Sequence, residues 1–224
     1  MTISLFWCIP NDQTTAMPLT EAQRRALLEL RAQFASIEIP LGTAMPFDER
    51  ARLPASGLPD DITARVEIAP PLSTAFPLLD NSALKSPERV PVFYYSLRGE
   101  DAAPRAREDT TVIFFIHGGG NLDCHPANPR YFPLFSAILR EVSAKTDGSA
   151  PCTVIAPCYR LARIPENTFP AALQDILAAY DFVISQGYQS SNITIAGDSS
   201  GGNHGKHTVR LSRHDIDRAL QRSS

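Results

Sequence analysis

A chain of 224 residues that is 43% apolar and 20% charged can bury one α/β core, and this balance excludes a disordered or fibrous protein. A formal net charge of -3 argues against the basic surface that nucleic acid or an anionic membrane selects. Cys8, Cys124, Cys152 and Cys158 form no C-x-x-C pair, so they read as reduced thiols, and neither a metal nor a cofactor is predicted.

The first ten residues hold about eight apolar ones but lack a basic flank and a small-residue cleavage site, and nowhere do about eighteen apolar residues run together. The expectation is a soluble, cytoplasmic chain with no transmembrane segment. Thr20 and Gln23 have capping-box spacing, and Leu27, Leu30 and Phe34 follow at helical intervals, which predicts an amphipathic helix over 21–36. Nine prolines between Pro40 and Pro91 then argue against long regular elements. A disordered linker competes with a segment wrapped on the surface. Wrapping is favoured by the apolar residues Ile62, Val66, Ile68, Leu72, Phe76, Leu78 and Leu79.

Strand signals follow at 92–97 and 111–116, with a charged turn at 99–107 that would close a hairpin between them. Phe135, Ile138, Leu139 and Val142 place a helix over 131–145. A strand at 153–157 comes next, and Leu173, Ile176, Leu177, Tyr180 and Val183 predict a helix over 170–185. The β-branched run from Asn192 ends in Gly197-Asp198-Ser199-Ser200-Gly201-Gly202. This alternation predicts an α/β fold with a parallel sheet, right-handed crossovers and a ligand site at the carboxyl ends of the strands.

Two of those ends carry chemistry. Gly197 to Gly201 fits G-x-S-x-G, a sharp strand-to-helix turn in which small neighbours let the Ser199 hydroxyl stand clear. Alone, the pattern also fits a Gly-rich turn with an incidental serine. His117-Gly118-Gly119-Gly120 closes the strand at 111–116, where bare backbone N–H groups can face a developing oxyanion. His117 is read as ordering that loop, and His125, beside Pro126, as a surface loop residue.

With Tyr159-Arg160-Leu161-Ala162, Pro165-Glu166 and Phe169-Pro170-Ala171-Ala172 between them, these motifs resemble the hormone-sensitive-lipase group of α/β-hydrolases over 90–203. Two details depart from its pattern: two residues separate the YRLA and PE halves, and Asn121 follows the glycines where an aromatic is common. The resemblance implies a serine carboxylesterase or lipase. Ser199 would attack the acyl carbon of a small-molecule ester, and the amides of Gly118, Gly119 and Ser200 would hold the oxyanion. Residues 1–88 would form a cap helix and wrapping extension, and 89–203 a three-layer hydrolase domain incomplete at its C-terminal side.

Residues 204–224 read as an atypical basic tail. From Asn203 onward there are five Lys or Arg against two Asp, while 1–202 hold 16 against 22, and three of the five histidines lie there. The family would place a buried helix of small residues here, and Asn203-His204-Gly205-Lys206-His207 departs from it. Only 25 residues follow Ser199, whereas family members carry their acid and their histidine base far downstream. His204, five residues on, would be carried away from the hydroxyl by a helix, and Asp198 should point away from it. The composition change after Asn203 therefore suggests a truncated or mis-joined frame. Activity would be crippled and the sheet edge open to self-association. The alternatives are an inactive product and a non-catalytic small-ligand binder, as the gibberellin receptors, which resemble the same family, are.

Overall fold

A computed structural model describes residues 20–22, 24, 25, 41–72, 85–99, 109–148 and 150–209. Five strands form one sheet in the order β1-β2-β4-β3-β5: β1 (Ile62–Ala69), β2 (Val90–Leu97), β3 (Thr111–Ile116), β4 (Cys152–Pro157) and β5 (Ile193–Gly197). The three later strands are parallel, with Phe114 paired to Ile155 on one side and to Ile195 on the other. β2 runs antiparallel to both β1 and β4.

Two expectations are corrected here. β2 does not close a hairpin with β3, because β4 lies between them and takes the pairing. The proline-rich segment is not free of long regular elements either. Its prolines flank an eight-residue run, Ile62 to Ala69, that pairs along its whole length with β2. The wrapping segment thus enters the sheet itself. Its anchor Ile62 is buried, whereas Ile68 is exposed on the edge strand. Phe76, Leu78 and Leu79 lie outside the described residues, as does most of the helix expected over 21–36. At its start, however, the Arg24 N–H donates to the Thr20 carbonyl at 2.9 Å, which is one helical turn.

Alternation along the strands divides the core into two layers. Phe93, Tyr95, Phe115 and Val154 face α2 (Phe132–Lys145) and pack on its Phe132, Phe135 and Leu139. Tyr94, Phe114, Ile116 and Ile155 face α3 (Ala171–Ser185) and pack on Leu173, Ile176, Leu177 and Val183. Of the stripe predicted for α3, Leu173, Ile176, Leu177 and Val183 are buried, but Ala171 to Ala179 are buried on every side, so the helix is not amphipathic over its first half.

A short helix α1 (Phe47–Arg50) adds one charged side chain to this core. Arg50 is 4% exposed and reaches the Cys158 carbonyl at 2.7 Å and the Asp175 carboxylate at 3.2 Å. Arg160 grips the same carboxylate through Nε and Nη2, at 3.1 and 2.9 Å, and its backbone N–H donates there at 2.8 Å. Glu88 faces both guanidinium groups. Taking this many charges from water is tolerable only because each is paired. The Asp175→Ala variant strands two buried guanidinium groups and should lose about 3–5 kcal/mol of stability, read from urea unfolding; a loss below about 1 kcal/mol would show the cluster to be solvated.

Candidate active site

β3 and β5 are neighbours, so their carboxyl ends lie side by side. Ile116 pairs with Gly197, and the HGGG loop leaves β3 where the G-x-S-x-G turn leaves β5. The turn is tight: Ser199 has φ +50, a left-handed conformation that side chains rarely adopt. Residues 200–209 then form a helix, α4. A Cβ at Gly197 would come 2.6 Å from the Ile116 carbonyl oxygen, and one at Gly201 would overlap both the Ile116 and His117 carbonyls. Only glycine fits at these two positions.

The helical state of 200–209 corrects the reading of the tail. Gly201, His204, Gly205 and Thr208 are buried at helical spacing, while Asn203, Lys206 and His207 face outward. Gly205 is small because Ile195 lies 3.2 Å from where its Cβ would stand. His214 lies outside the described residues.

Ser199 is exposed at the N-terminus of α4, and its hydroxyl has no hydrogen-bond partner among the described residues. Its neighbour Asp198 turns toward the glycine loop. The Gly118 N–H donates to Asp198 Oδ1 at 2.7 Å, and the Tyr131 hydroxyl donates to the same oxygen at 3.1 Å. Gly118 therefore has its amide engaged. Gly119 (φ +103) and Gly120 (φ +63), together with Ser200, have amides without a partner among the described residues.

Three of the four described histidines are engaged elsewhere. His117 is fully buried, stacks on Tyr159 at 4.2 Å between centroids, and bonds the Gly118 carbonyl through Nδ1 at 2.8 Å. The Tyr159 hydroxyl donates to the His117 carbonyl at 2.7 Å. Burial holds His117 neutral, with its pKa lowered to about 3. His125 is half-buried rather than a surface residue. Its Nδ1 accepts the Ala127 N–H at 3.0 Å, so Nε2–H donates to the Arg50 carbonyl at 3.0 Å. His204 lies 2.6 Å through Nε2 from Asn121 Oδ1, and burial lowers its pKa to about 4. Among the described residues, no histidine is hydrogen-bonded to Ser199.

A cavity of about 340 Å³ opens beside Met45, Arg50, Glu88, Tyr159, Arg160 and Ile164, and Ser199 is not among its described lining residues. The buried Arg50, Asp175 and Asn121 contacts had no signal in sequence spacing, since each joins residues more than seventy positions apart or is set by the tertiary fold.

Residues 113–221 match the model of a family described as having the alpha/beta hydrolase fold. The matched stretch, just under half of the chain, is similar to that family. Over 96 residues the chain is 34% identical to an acetyl-hydrolase of Streptomyces hygroscopicus, covering 43% of this chain and 28% of that one. The carboxylesterase/phospholipase LipF of Mycobacterium tuberculosis is 33% identical over 106 residues, covering 47% and 24%. The gibberellin receptor GID1A of Arabidopsis thaliana is 37% identical over 98 residues, covering 41% and 26%. A solved esterase of the bacterial hormone-sensitive lipase family superposes with a TM-score of 0.47 at 25% identity, over 84% of this chain and 51% of that one. The chain is similar to hormone-sensitive-lipase-like α/β hydrolases and spans about half the length of that structure and about a quarter of those curated relatives.

Two outcomes follow from this packing. Gly201→Ala should cost about 1–3 kcal/mol in denaturant unfolding, since the new Cβ meets backbone that cannot move aside, and an unchanged midpoint would show a looser turn. His117 and His204 have folded pKa values near 3 and 4 against 6.5 for a free ring, so the unfolded chain binds more protons between those values. Their neutral burial supports the fold fully above pH 6.5. This support is lost as pH falls, at about 1.4 kcal/mol per unit and per ring, down to the folded values. A urea series from pH 7 to 5 should show stability falling with pH, less steeply in His204→Gln, with His117 and the likewise lowered His125 supplying the rest; an identical slope in the variant would place the protons elsewhere.

Proposed function

We propose that this chain carries the nucleophile and the oxyanion-binding donors of a serine carboxylic-ester hydrolase. Ser199 attacks the acyl carbon of a small ester. The negative charge that develops on the carbonyl oxygen is taken by the amides of Gly119, Gly120 and Ser200, aided by the positive end of α4. Gly118, expected as a donor from the motif, positions the loop instead, because Asp198 occupies its amide. The observation that carries this reading is an exposed serine at φ +50, next to the residue that ties the glycine loop to the turn. The names of the curated relatives support the same chemistry.

The serine proton needs an acceptor; His117, His125 and His204 are engaged elsewhere, and His207 faces outward on α4. A base must therefore come from outside the described residues or from a partner. Without one, turnover falls roughly a millionfold, as it does when a serine hydrolase loses its triad. That observation also favours a second reading, in which the site binds a small ligand without turning it over. The similarity to the gibberellin receptor GID1A is consistent with it.

Fluorophosphonate labelling of the full chain, followed by intact mass, separates the two. Stoichiometric labelling that disappears in Ser199→Ala is the expected result for the hydrolase. Saturable binding of a small ester with no labelling would establish the binder, and labelling that survives in Ser199→Ala would remove Ser199 from the mechanism.

A further inference from the structure

The glycine loop crosses the turn between two hydrogen bonds that stand on either side of Ser199. Upstream of Gly119, the Gly118 N–H is held by Asp198, the residue before Ser199. Downstream of Gly120, the Asn121 side chain is held by His204, on the second turn of α4. Gly119 and Gly120 lie between these ties with φ +103 and +63 and without side chains to hold them. Asn121 is itself left-handed at φ +63, and its carbonyl accepts the Ala162 N–H at 2.7 Å.

We infer that His204 is a positioning residue: through its 2.6 Å hydrogen bond to Asn121 it fixes the downstream end of the glycine loop against α4 and so aims the Gly119 and Gly120 amides. This rests on the reading of those amides as oxyanion donors, but the tie to the loop is measurable without it. His204 is 7% exposed and neutral, and because its partner Oδ1 can only accept, the ring carries its proton on Nε2 and donates there while it fills the space beside Tyr159, 5.7 Å away between centroids. A histidine there does what an apolar residue of similar size cannot, which is to fill the space and hold the loop at once.

The variants His204→Leu, which keeps bulk but loses the donor, and His204→Gln, which keeps an N–H donor, separate a tie from mere packing. Hydrogen–deuterium exchange by mass spectrometry on the full chain should show loop 118–123 exchanging about five- to tenfold faster in His204→Leu and near the parent rate in His204→Gln. Asn121→Gly removes the acceptor, tolerates the positive φ and leaves α4 untouched, so it should loosen the same peptide even if a helix variant unfolds. Where the parent chain labels with fluorophosphonate, the maximal labelling rate should fall several-fold in His204→Leu with little change in the probe concentration for half-maximal rate, and recover in His204→Gln. Unchanged loop exchange in both His204→Leu and Asn121→Gly would overturn the inference. A parent chain that does not label, but whose loop loosens as described, would set aside the hydrolase reading on which the role of the tie rests and leave the tie itself standing.

Discussion

The structure depends on one close approach: the Ile116 carbonyl, at the end of β3, lies where the Cβ atoms of Gly197 and Gly201 would otherwise be. Two backbones can meet at that distance only if neither carries a side chain there. The contact sets the glycine loop against the turn, and the Gly118 amide then reaches the Asp198 carboxylate at 2.7 Å. Everything argued about Ser199 follows from this meeting of two strand ends, because a parallel pair brings both carboxyl ends to the same side.

The buried charges do a different task beyond the carboxyl end of β4. Asp175 on α3 gathers Arg160 from the segment after β4 and Arg50 from α1. One of these three residues, Arg50, approaches from outside the alternating βα pattern, so the carboxylate joins the segment before β1 to the β4–α3 unit. Such a cluster contributes little net stability compared with an apolar filling of the same volume, but it admits one arrangement. The cavity beside it shares Arg50 and Arg160, and Ser199 is not among its described lining residues.

Histidine is the residue on which the motif reading and the structure differ most. In a serine hydrolase one histidine is expected to take the proton from the nucleophile. Here His117, His125 and His204 hold the Gly118 carbonyl, the Arg50 carbonyl and the Asn121 side chain. Two of them are held neutral by burial, with pKa values near 3 and 4. They act as neutral donors that order loops.

From the sequence alone came the β3, α2, β4, α3 and β5 succession and the position of the turn, because strand and helix periods, and glycines at steric limits, are local properties. The G-x-S-x-G and HGGG motifs were legible for the same reason. Three things were decided only by the tertiary structure. β2 pairs with β1 and β4, since strand order depends on which edges are free when the sheet assembles. Residues 203–209 are helical despite their polar composition, because a face of Gly201, His204, Gly205 and Thr208 is small enough to pack under the turn. And the Gly118 amide is occupied by Asp198 while those of Gly119 and Gly120 are not, a distinction that no spacing encodes, since it depends on two loops meeting from strands eighty residues apart.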